Sequence, residues 1–289
     1  MASKFVGSAG NFAMAARKQR NVVKALLKAM VPARLRPSFE KAFRKAYWWG
    51  LRYTCPFCHS HLRTLLPFGL KFPVLDELQV VGGGYRLNAR CPLCGSFDRE
   101  RLLYLFLLHR TDIFEKHMKV LHVAPEAALS KILRSQRDLD YVTADLYSQD
   151  VMFKMDITQI QFPDNSFDVI ICNHVLEHIR DDRAAIAELY RTLMSGGWAI
   201  LQVPISLRLD RTYEDPFITT SEGRGDAFGQ ADHVRIYAED YQHRLEQAGF
   251  KVAVFKWTNQ ADNFGGRANR FALNEQETIY FATKAVQVN

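Results

Sequence analysis

Cysteines at 55, 58, 91 and 94, in the runs CPFC and CPLC, form two C-x2-C pairs with 32 residues between them. Each pair makes a tight turn whose two thiolates face one point, and four thiolates complete the tetrahedral set that zinc favours. Gly95, next after the second pair, permits the backbone angles of a metal-binding knuckle. A disulfide framework suits a secreted chain, and a redox dithiol needs one pair rather than two, so the metal is the stronger reading. His59 and His61 either replace one thiolate or lie on the surface of the module. Cys172, alone in an apolar run, reads as a small buried side chain. With Cys55, Cys58, Cys91 and Cys94 as the ligands, no position stays open for a reactant, and structural zinc is expected in a ribbon spanning 54–97. Its LPFG and VVGGGYRLNA runs read as short strands and turns.

A second set of polar residues falls where strands end. Asp145 closes DYVTADL 21 residues after Ala124, close to the spacing at which a carboxylate reaches the ribose hydroxyls of a nucleoside. Asp156 ends the next segment, and Glu126 stands in the loop KVLHVAPEAALSKIL, which has no glycine. Asp145 and Asp156 are either ligand-binding acids or loop caps. Further on, His233 is the first choice for a general base, since imidazole titrates near neutrality. Asp232, Arg235 and Tyr237 stand beside it, and the competing reading of DHVRIY is a packed hydrogen-bonding corner. Glu214 and Asp215 are weaker candidates because Asp-Pro marks a turn.

The elements that must position these residues alternate regularly from Lys119. KVLHVA, DYVTADL, FDVIICNHV, GGWAILQVP, KVAVFKW and TIYFATK read as strands, and EAALSKILRSQ, DDRAAIAELYRTLMS and AEDYQHRLEQAGF as helices. This pattern predicts a parallel sheet covered on both faces, with ligands beyond the carboxyl ends of its strands. SFDRERLLYLFLLHR, capped by Ser96 or Asp98, reads as the helix joining ribbon and sheet.

Charge separates the N-terminus from the rest. Residues 1–53 carry twelve Lys or Arg against the single acid Glu40, or +11, whereas the remaining 236 residues carry −4. Phe12, Ala16, Val23, Leu26, Leu27 and Met30 recur at helical spacing in this arm. It reads as a helix packed on its own domain, an anionic-membrane contact, a nucleic-acid contact or a targeting peptide. Pro32 and Pro37 interrupt the pattern, which places a linker near 31–38, and FEKAFRKAYWWGLRY follows as a second helix. No apolar run approaches the roughly 18 residues of a membrane span, and no secretory signal follows the first charges, so a cytoplasmic chain is expected.

The body resembles the class I S-adenosylmethionine-dependent methyltransferases. The resemblance rests on DITQIQFPDNSFDVIICNHVLEHIRDDRAAIAELYRTLMSGGWAILQVP, which is similar to the type 11 pattern. Joined to the two cysteine pairs, LHVAPE, TYEDP and FGQADHVRIY look like a bacterial subfamily that carries a zinc ribbon. The resemblance implies an α/β fold with a Rossmann-like, seven-stranded methyltransferase sheet over 98–289 and an acceptor-site insertion at about 205–237. It implies that Asp145 binds the ribose and Leu146 packs on the adenine. Asp156 accepts from the adenine amino group, with Ile157 donating its amide. Asn173 and His174 then lie beside the methionine part and the sulfonium, where His174 and His178 have simple structural readings too. Asn173 and His174 are also catalytic candidates, Asn173 by positioning the acceptor instead of removing a proton.

In the family the first loop is an acid-x-Gly-x-Gly-x-Gly run, and here His122, Ala124, Glu126 and Ala128 take those places. Pro125 also removes an amide, though it starts a helix well. Either Glu126 pairs with the methionine ammonium and the loop Ala124–Pro125–Glu126 still seats the cofactor, or the pocket is closed. The retained acids Asp145 and Asp156 favour the first. Three functions follow: methyl transfer to a small-molecule, glycan or lipid-linked acceptor, with peripheral membrane contact through residues 1–53; methyl transfer to RNA or a ribosome-associated target; and a non-catalytic scaffold. The acidic body, without a basic-aromatic track, disfavours nucleic acid.

Overall fold

The structure is a computed structural model and describes residues 32–286. The apolar periodicity expected from Phe12 to Met30 lies outside the described residues. The chain divides into two units, Met1–Trp49 and Gly50–Asn289.

In the first unit, helix α1 spans Arg36–Trp48. Pro37 sits in its first turn, so it opens the helix where the sequence suggested a linker through residue 38. The first turn has no intrahelical N–H bond to lose, and a φ fixed near −65° already suits it. Helix α1 buries none of its residues. Leu35, Phe39, Phe43 and Tyr47, spaced four apart, are all exposed.

The second unit is built on one mixed sheet of seven strands. In chain order these are β1 (Met118–Val123), β2 (Leu139–Asp145), β3 (Phe153–Lys154), β4 (Phe167–Asn173), β5 (Leu193–Gln202), β6 (Lys251–Lys256) and β7 (Thr278–Thr283). Their spatial order is 3-2-1-4-5-7-6. Strands β1 to β5 pair in parallel, and β7 runs antiparallel to both its neighbours. The expected seven-stranded α/β architecture is therefore present.

Alternation along β4 shows how the sheet is covered. Ile170 and Cys172 face a core with Ala185, Leu189, Tyr241 and Leu245, whereas Val169 and Ile171 face one with Leu102, Phe106, Leu129 and Leu133. The helices concerned are α3 (Asp98–Arg110) and α4 (Ala127–Arg134) on one face, with α5 (Asp182–Thr192) and α7 (Tyr241–Gln247) on the other. The short α2 (Pro73–Glu77) belongs to the cysteine module, and α6 (Ser221–Phe228) to the long loop after β5. The chain leaves β1 toward one face and β4 toward the other. The crevice between their carboxyl ends is the switch point at which sheets of this kind bind ligands.

Two boundaries differ from expectation. Helix α5 ends at Thr192, because Leu193 is already extended and pairs with Phe167. Helix α3 is not capped by Ser96 or Asp98: Phe97 holds that place, and its amide donates to Glu100 Oε2 at 2.6 Å. Both expected caps are engaged elsewhere, Ser96 Oγ beside the cysteine sulfurs and Asp98 in an ion pair with Arg86 at 2.7 Å.

The cysteine module joins the sheet domain through Arg101, which is fully buried. Its Nε donates to the carbonyl of Phe271, Nη1 to Ala89 and Ser96, and Nη2 to Asn88 and Ala272. All five guanidinium donors are thereby used between two segments far apart in sequence. Leu66–Phe68 pairs with Arg86–Arg90 inside the module. Val80–Val81, also expected as a strand of the ribbon, pairs instead with Ile205–Ser206 in the loop after β5.

Candidate active site and cysteine centre

The four cysteines converge. Cys55, Cys58, Cys91 and Cys94 place their sulfurs within 4.8 Å of one another, with Cys55–Cys94 at 3.6 Å and Cys58–Cys91 at 3.9 Å. All four are free thiols, so there is no disulfide. Sulfurs held about 2.3 Å from one tetrahedral ion stand about 3.8 Å apart, so the donor set and its spacing fit zinc. The two knuckles repeat one backbone pattern. The amide of His59 donates to Cys55 O at 2.9 Å as that of Gly95 does to Cys91 O at 3.0 Å. Both residues have left-handed φ, 53° at His59 and 85° at Gly95. His59 thus fills a turn position, and His61 Nδ1 meets Thr54 Oγ1 at 3.1 Å. Neither belongs to the converging set.

At the switch point, β1 and β4 end alike: Ala124 and His174 follow them with φ of 47° and 54°. Of the four positions where the family carries acid or glycine, only that of Ala124 requires a glycine-like backbone here. His122 is fully buried in β1, with Nδ1 2.8 Å from Tyr141 Oη and Nε2 2.8 Å from Glu126 Oε2. An ionised carboxylate only accepts, so the hydrogen of this contact is on Nε2. Asn173 Nδ2 donates to the other oxygen of Glu126 at 3.3 Å, bridging the crevice. Burial pushes the Glu126 carboxyl up, but the His122 hydrogen bond and the Arg99 charge outweigh it and hold it below its ordinary value.

Around this bridge lie buried polar atoms that meet no partner among the described residues: Asn173 Oδ1, His174 Nε2, Glu177 Oε2, Glu277 Oε2 and Arg99 Nε. They come from α3, the end of β4, the turn Leu176–His178 and the loop before β7. Burial, with repulsion from Asp98 second for Glu277, pushes Glu177 up to about 8 and Glu277 up to about 7. Burial, then Arg99 and Arg86, drives His174 well below its ordinary value, and His233 falls to about 4 through burial and His178. Gly82 of the cysteine module covers this group. A Cβ there would meet His174 Cε1 at 3.0 Å and Glu277 Oε2 at 3.6 Å, and its φ is 86°. Three consecutive glycines are visible in the sequence, but nothing local ties them to this site. Arg99 and Glu277 carried no motif, and Glu177 was visible only as a letter of VLEH.

The acids on the other side of β1 brace their own turns. Asp145 Oδ1 accepts from the amides of Tyr147 and Ser148, both at 2.6 Å, and Asp156 Oδ1 from the amide and hydroxyl of Thr158 at 2.9 and 2.8 Å. Leu146 is exposed beside Asp145, Asp156 is exposed, and Ile157 is buried.

The loop after β5 separates two roles that DHVRIY left combined. Arg235 is buried and donates to the carbonyls of Leu176, Ile179 and Arg180 and to Glu214. Tyr237 Oη donates to Asp182 at 2.7 Å. Those residues form the packed corner, with Glu214 also held by Arg244 at 2.9 Å and Asp215 bracing a turn at Phe217. His233 lies apart from them, with its ring centroid 4.7 Å from that of His178.

No curated protein matches the chain. Solved structures with partial likeness include the cyclase SpnF, 14% identical over 67% of this chain and 85% of that one, with a TM-score of 0.47. Another is the Burkholderia thailandensis 1,6-didemethyltoxoflavin-N1-methyltransferase with bound 1,6-didemethyltoxoflavin and S-adenosylhomocysteine, 14% identical over 65% and 78% of the two chains, at 0.43. A third is Haemonchus contortus phosphoethanolamine N-methyltransferase 2 with S-adenosyl-L-methionine, 14% identical over 64% and 52%, at 0.43. Residues 114–201, from before β1 to the end of β5, match the type 11 methyltransferase domain family. Residues 114–201 thus carry a methyltransferase domain.

Proposed function

We propose that the chain moves the methyl group of S-adenosylmethionine to a small-molecule, glycan or lipid-linked acceptor, with zinc holding the four-cysteine corner. The observation that carries this reading is the group of buried, unpartnered polar atoms at the switch point, beneath Gly82. Unpaired buried polar groups cost about 1–3 kcal/mol each, and a zwitterionic ligand relieves that cost. Arg99 offers its guanidinium to the methionine carboxylate, while Asn173 Oδ1 and the Glu126 carboxylate receive the ammonium. Ala124 and Pro125 form the turn on which the amino-acid end rests. On the far side, Asp145 and Leu146 take the ribose and adenine, and Asp156 and Ile157 the adenine edge. The Oδ1 contacts support this, because they fix both carboxylates while Oδ2 of each has no hydrogen-bond partner among the described residues.

Asn173 and His174 then border the reactive sulfur, and His233 reaches the acceptor side. Its buried ring is neutral at pH 7 and presents a lone pair. The transfer itself needs alignment of acceptor, methyl and sulfur more than acid or base strength. Calorimetric titration of the zinc-loaded chain with S-adenosylmethionine and S-adenosylhomocysteine tests the reading. One site per chain is expected, and no heat with either ligand overturns it.

The exposed stripe of Leu35, Phe39, Phe43 and Tyr47 on α1 supports membrane contact by the basic arm. Arg36, Lys41, Arg44 and Lys45 of the same helix suit an anionic surface. Co-flotation with vesicles containing anionic lipid, lost on deletion of residues 1–53, is the expected result; RNA retention in place of flotation would favour a nucleic-acid target. No described helix is long and apolar enough to cross a membrane.

A further inference from the structure

Beyond the residues assigned to the cofactor, Glu177, His178 and His233 stand together. One ligand atom from each, a carboxylate oxygen and two imidazole nitrogens, lies within 4.8 Å of the other two. Glu177 and His178 are adjacent on the turn Leu176–His178, and His233 arrives from the loop after β5. The amide of Val234 donates to Glu177 O at 2.9 Å and fastens the two segments together. Glu177 is 1% exposed, and its Oε2 meets no partner among the described residues. Asp232 Oδ2 lies 3.2 Å from His178 Nδ1. That contact holds the hydrogen on Nδ1 and the lone pair on Nε2, which is how carboxylates orient metal-binding imidazoles.

We propose that Glu177, His178 and His233 bind one divalent transition-metal ion, which in turn takes the oxygen of a hydroxyl-bearing acceptor. Two imidazoles and one carboxylate suit manganese, iron, cobalt or zinc better than magnesium or calcium, whose ligands are oxygens. The donors are also harder than the four thiolates of the ribbon corner, so the two centres select differently. Atoms about 2.1 Å from one ion stand about 3.0–3.4 Å apart, closer than the limit seen here. His178, whose side chain is 29% exposed, is the member with room to close the set. Three protein ligands leave positions open for water or acceptor, as at catalytic metal sites. His174 Nδ1, 3.4 Å from Glu177 Oε1, links the trio to the end of β4, where the sulfonium is proposed to lie.

The acceptor identity rests on the methyl-transfer reading; the metal site does not. In the step, the ion lowers the pKa of the bound hydroxyl, whose proton passes to water. The oxygen pair then forms the O–CH3 bond as the S–CH3 bond breaks and its electron pair stays on sulfur, leaving a neutral thioether.

Cobalt(II) titration of the zinc-loaded full chain, followed optically and by calorimetry, tests the inference. The expected result is one ion per chain with d–d bands and no thiolate-to-cobalt charge transfer. His178→Ala and Glu177→Gln should each weaken it at least 10-fold, while His178→Ala leaves affinity for S-adenosylmethionine within 3-fold. Absence of binding, thiolate-type spectra alone, or unchanged affinity in both variants overturns the site. Cobalt binding without S-adenosylmethionine binding keeps the site and removes the methyl-transfer reading; the reverse removes only the site.

Discussion

The four-cysteine corner and the polar group beyond β4 are both made of side chains that water solvates well, and the fold closes them in opposite ways. At the corner, four sulfurs point at one another, with Ser96 Oγ 3.4 Å from Cys55 and 3.2 Å from Cys94, and the surrounding amides are paired in two matching turns. At the end of β4, carboxylates, an amide, an imidazole and a guanidinium meet, and five of their buried atoms have no partner among the described residues. The first arrangement fits one ion, whose binding would be returned as folding stability. The second costs the fold free energy until something with complementary charge enters. Gly82 joins them, since the module that the corner folds is also the cover of the polar group.

Breaking the corner should have the largest effect. A structural zinc set contributes on the order of 10 kcal/mol of apparent binding free energy. Chelation, or Cys91→Ser, should unfold the module and uncover the polar group. The expected readouts are loss of the first thermal transition and loss of S-adenosylmethionine binding in the same titration. Retained cofactor affinity after zinc removal would separate the two regions.

The buried carboxyl of Glu277 sharpens the contrast from the other side. Burial raises its folded pKa from 4.5 to about 7, with Asp98, Arg86 and Arg99 facing it. Its neutral-form contribution to stability is complete below about pH 4.5 and is lost as pH rises through about 7. Glu277→Gln should therefore melt with the parent at pH 4 and above it at pH 8, by up to about 3 kcal/mol. Melting curves across that range that stay parallel would show that Glu277 is not held neutral.

Asp145→Asn keeps an oxygen for the turn at Tyr147 and Ser148 but removes the charge. Affinity for S-adenosylmethionine should fall about 10-fold, or about 1.4 kcal/mol, with little change in melting temperature. Equal affinity in the variant would reduce Asp145 to a turn brace. Gly82→Ala, at a left-handed φ and 3.0 Å from His174 Cε1, should cost about 1–2 kcal/mol and slow turnover. A folded, fully active variant would detach the cover from the site. Ala124→Gly should act in the opposite direction, since φ is 47° there. Relief of that strain should offset the added chain entropy and stabilise the protein by up to about 1 kcal/mol in thermal melts.

Much of this protein can be read locally. The cysteine set follows from two C-x2-C pairs, because each is a short-range turn that carries its own geometry. The strands follow from runs such as FDVIIC, because a short β-branched apolar run suits a strand buried on both faces. The end of the sheet at which Ala124 lies follows too, since strand–helix alternation implies a parallel sheet whose ligands sit beyond the carboxyl ends of its strands. The arm's charge is a matter of composition alone, and only residues 32–53 of it lie among the described residues.

The remainder depends on folding. That His59 fills a turn rather than a metal vertex is a matter of its φ, and that Ser96 serves sulfurs rather than a helix end is a matter of what lies nearby. Arg99, Glu177, Glu277 and Gly82 come from four segments with no shared spacing, so no sequence window holds the signal that they meet. The sequence alone determined the sheet, the thiolate set and the acids at the strand ends, because those rest on local periodicity and short spacings. Which polar atoms were left buried without partners, and which imidazoles came within reach of Glu177, only the tertiary structure decided. Burial and convergence are properties of long-range packing, and a residue's neighbours in the chain do not fix its neighbours in space.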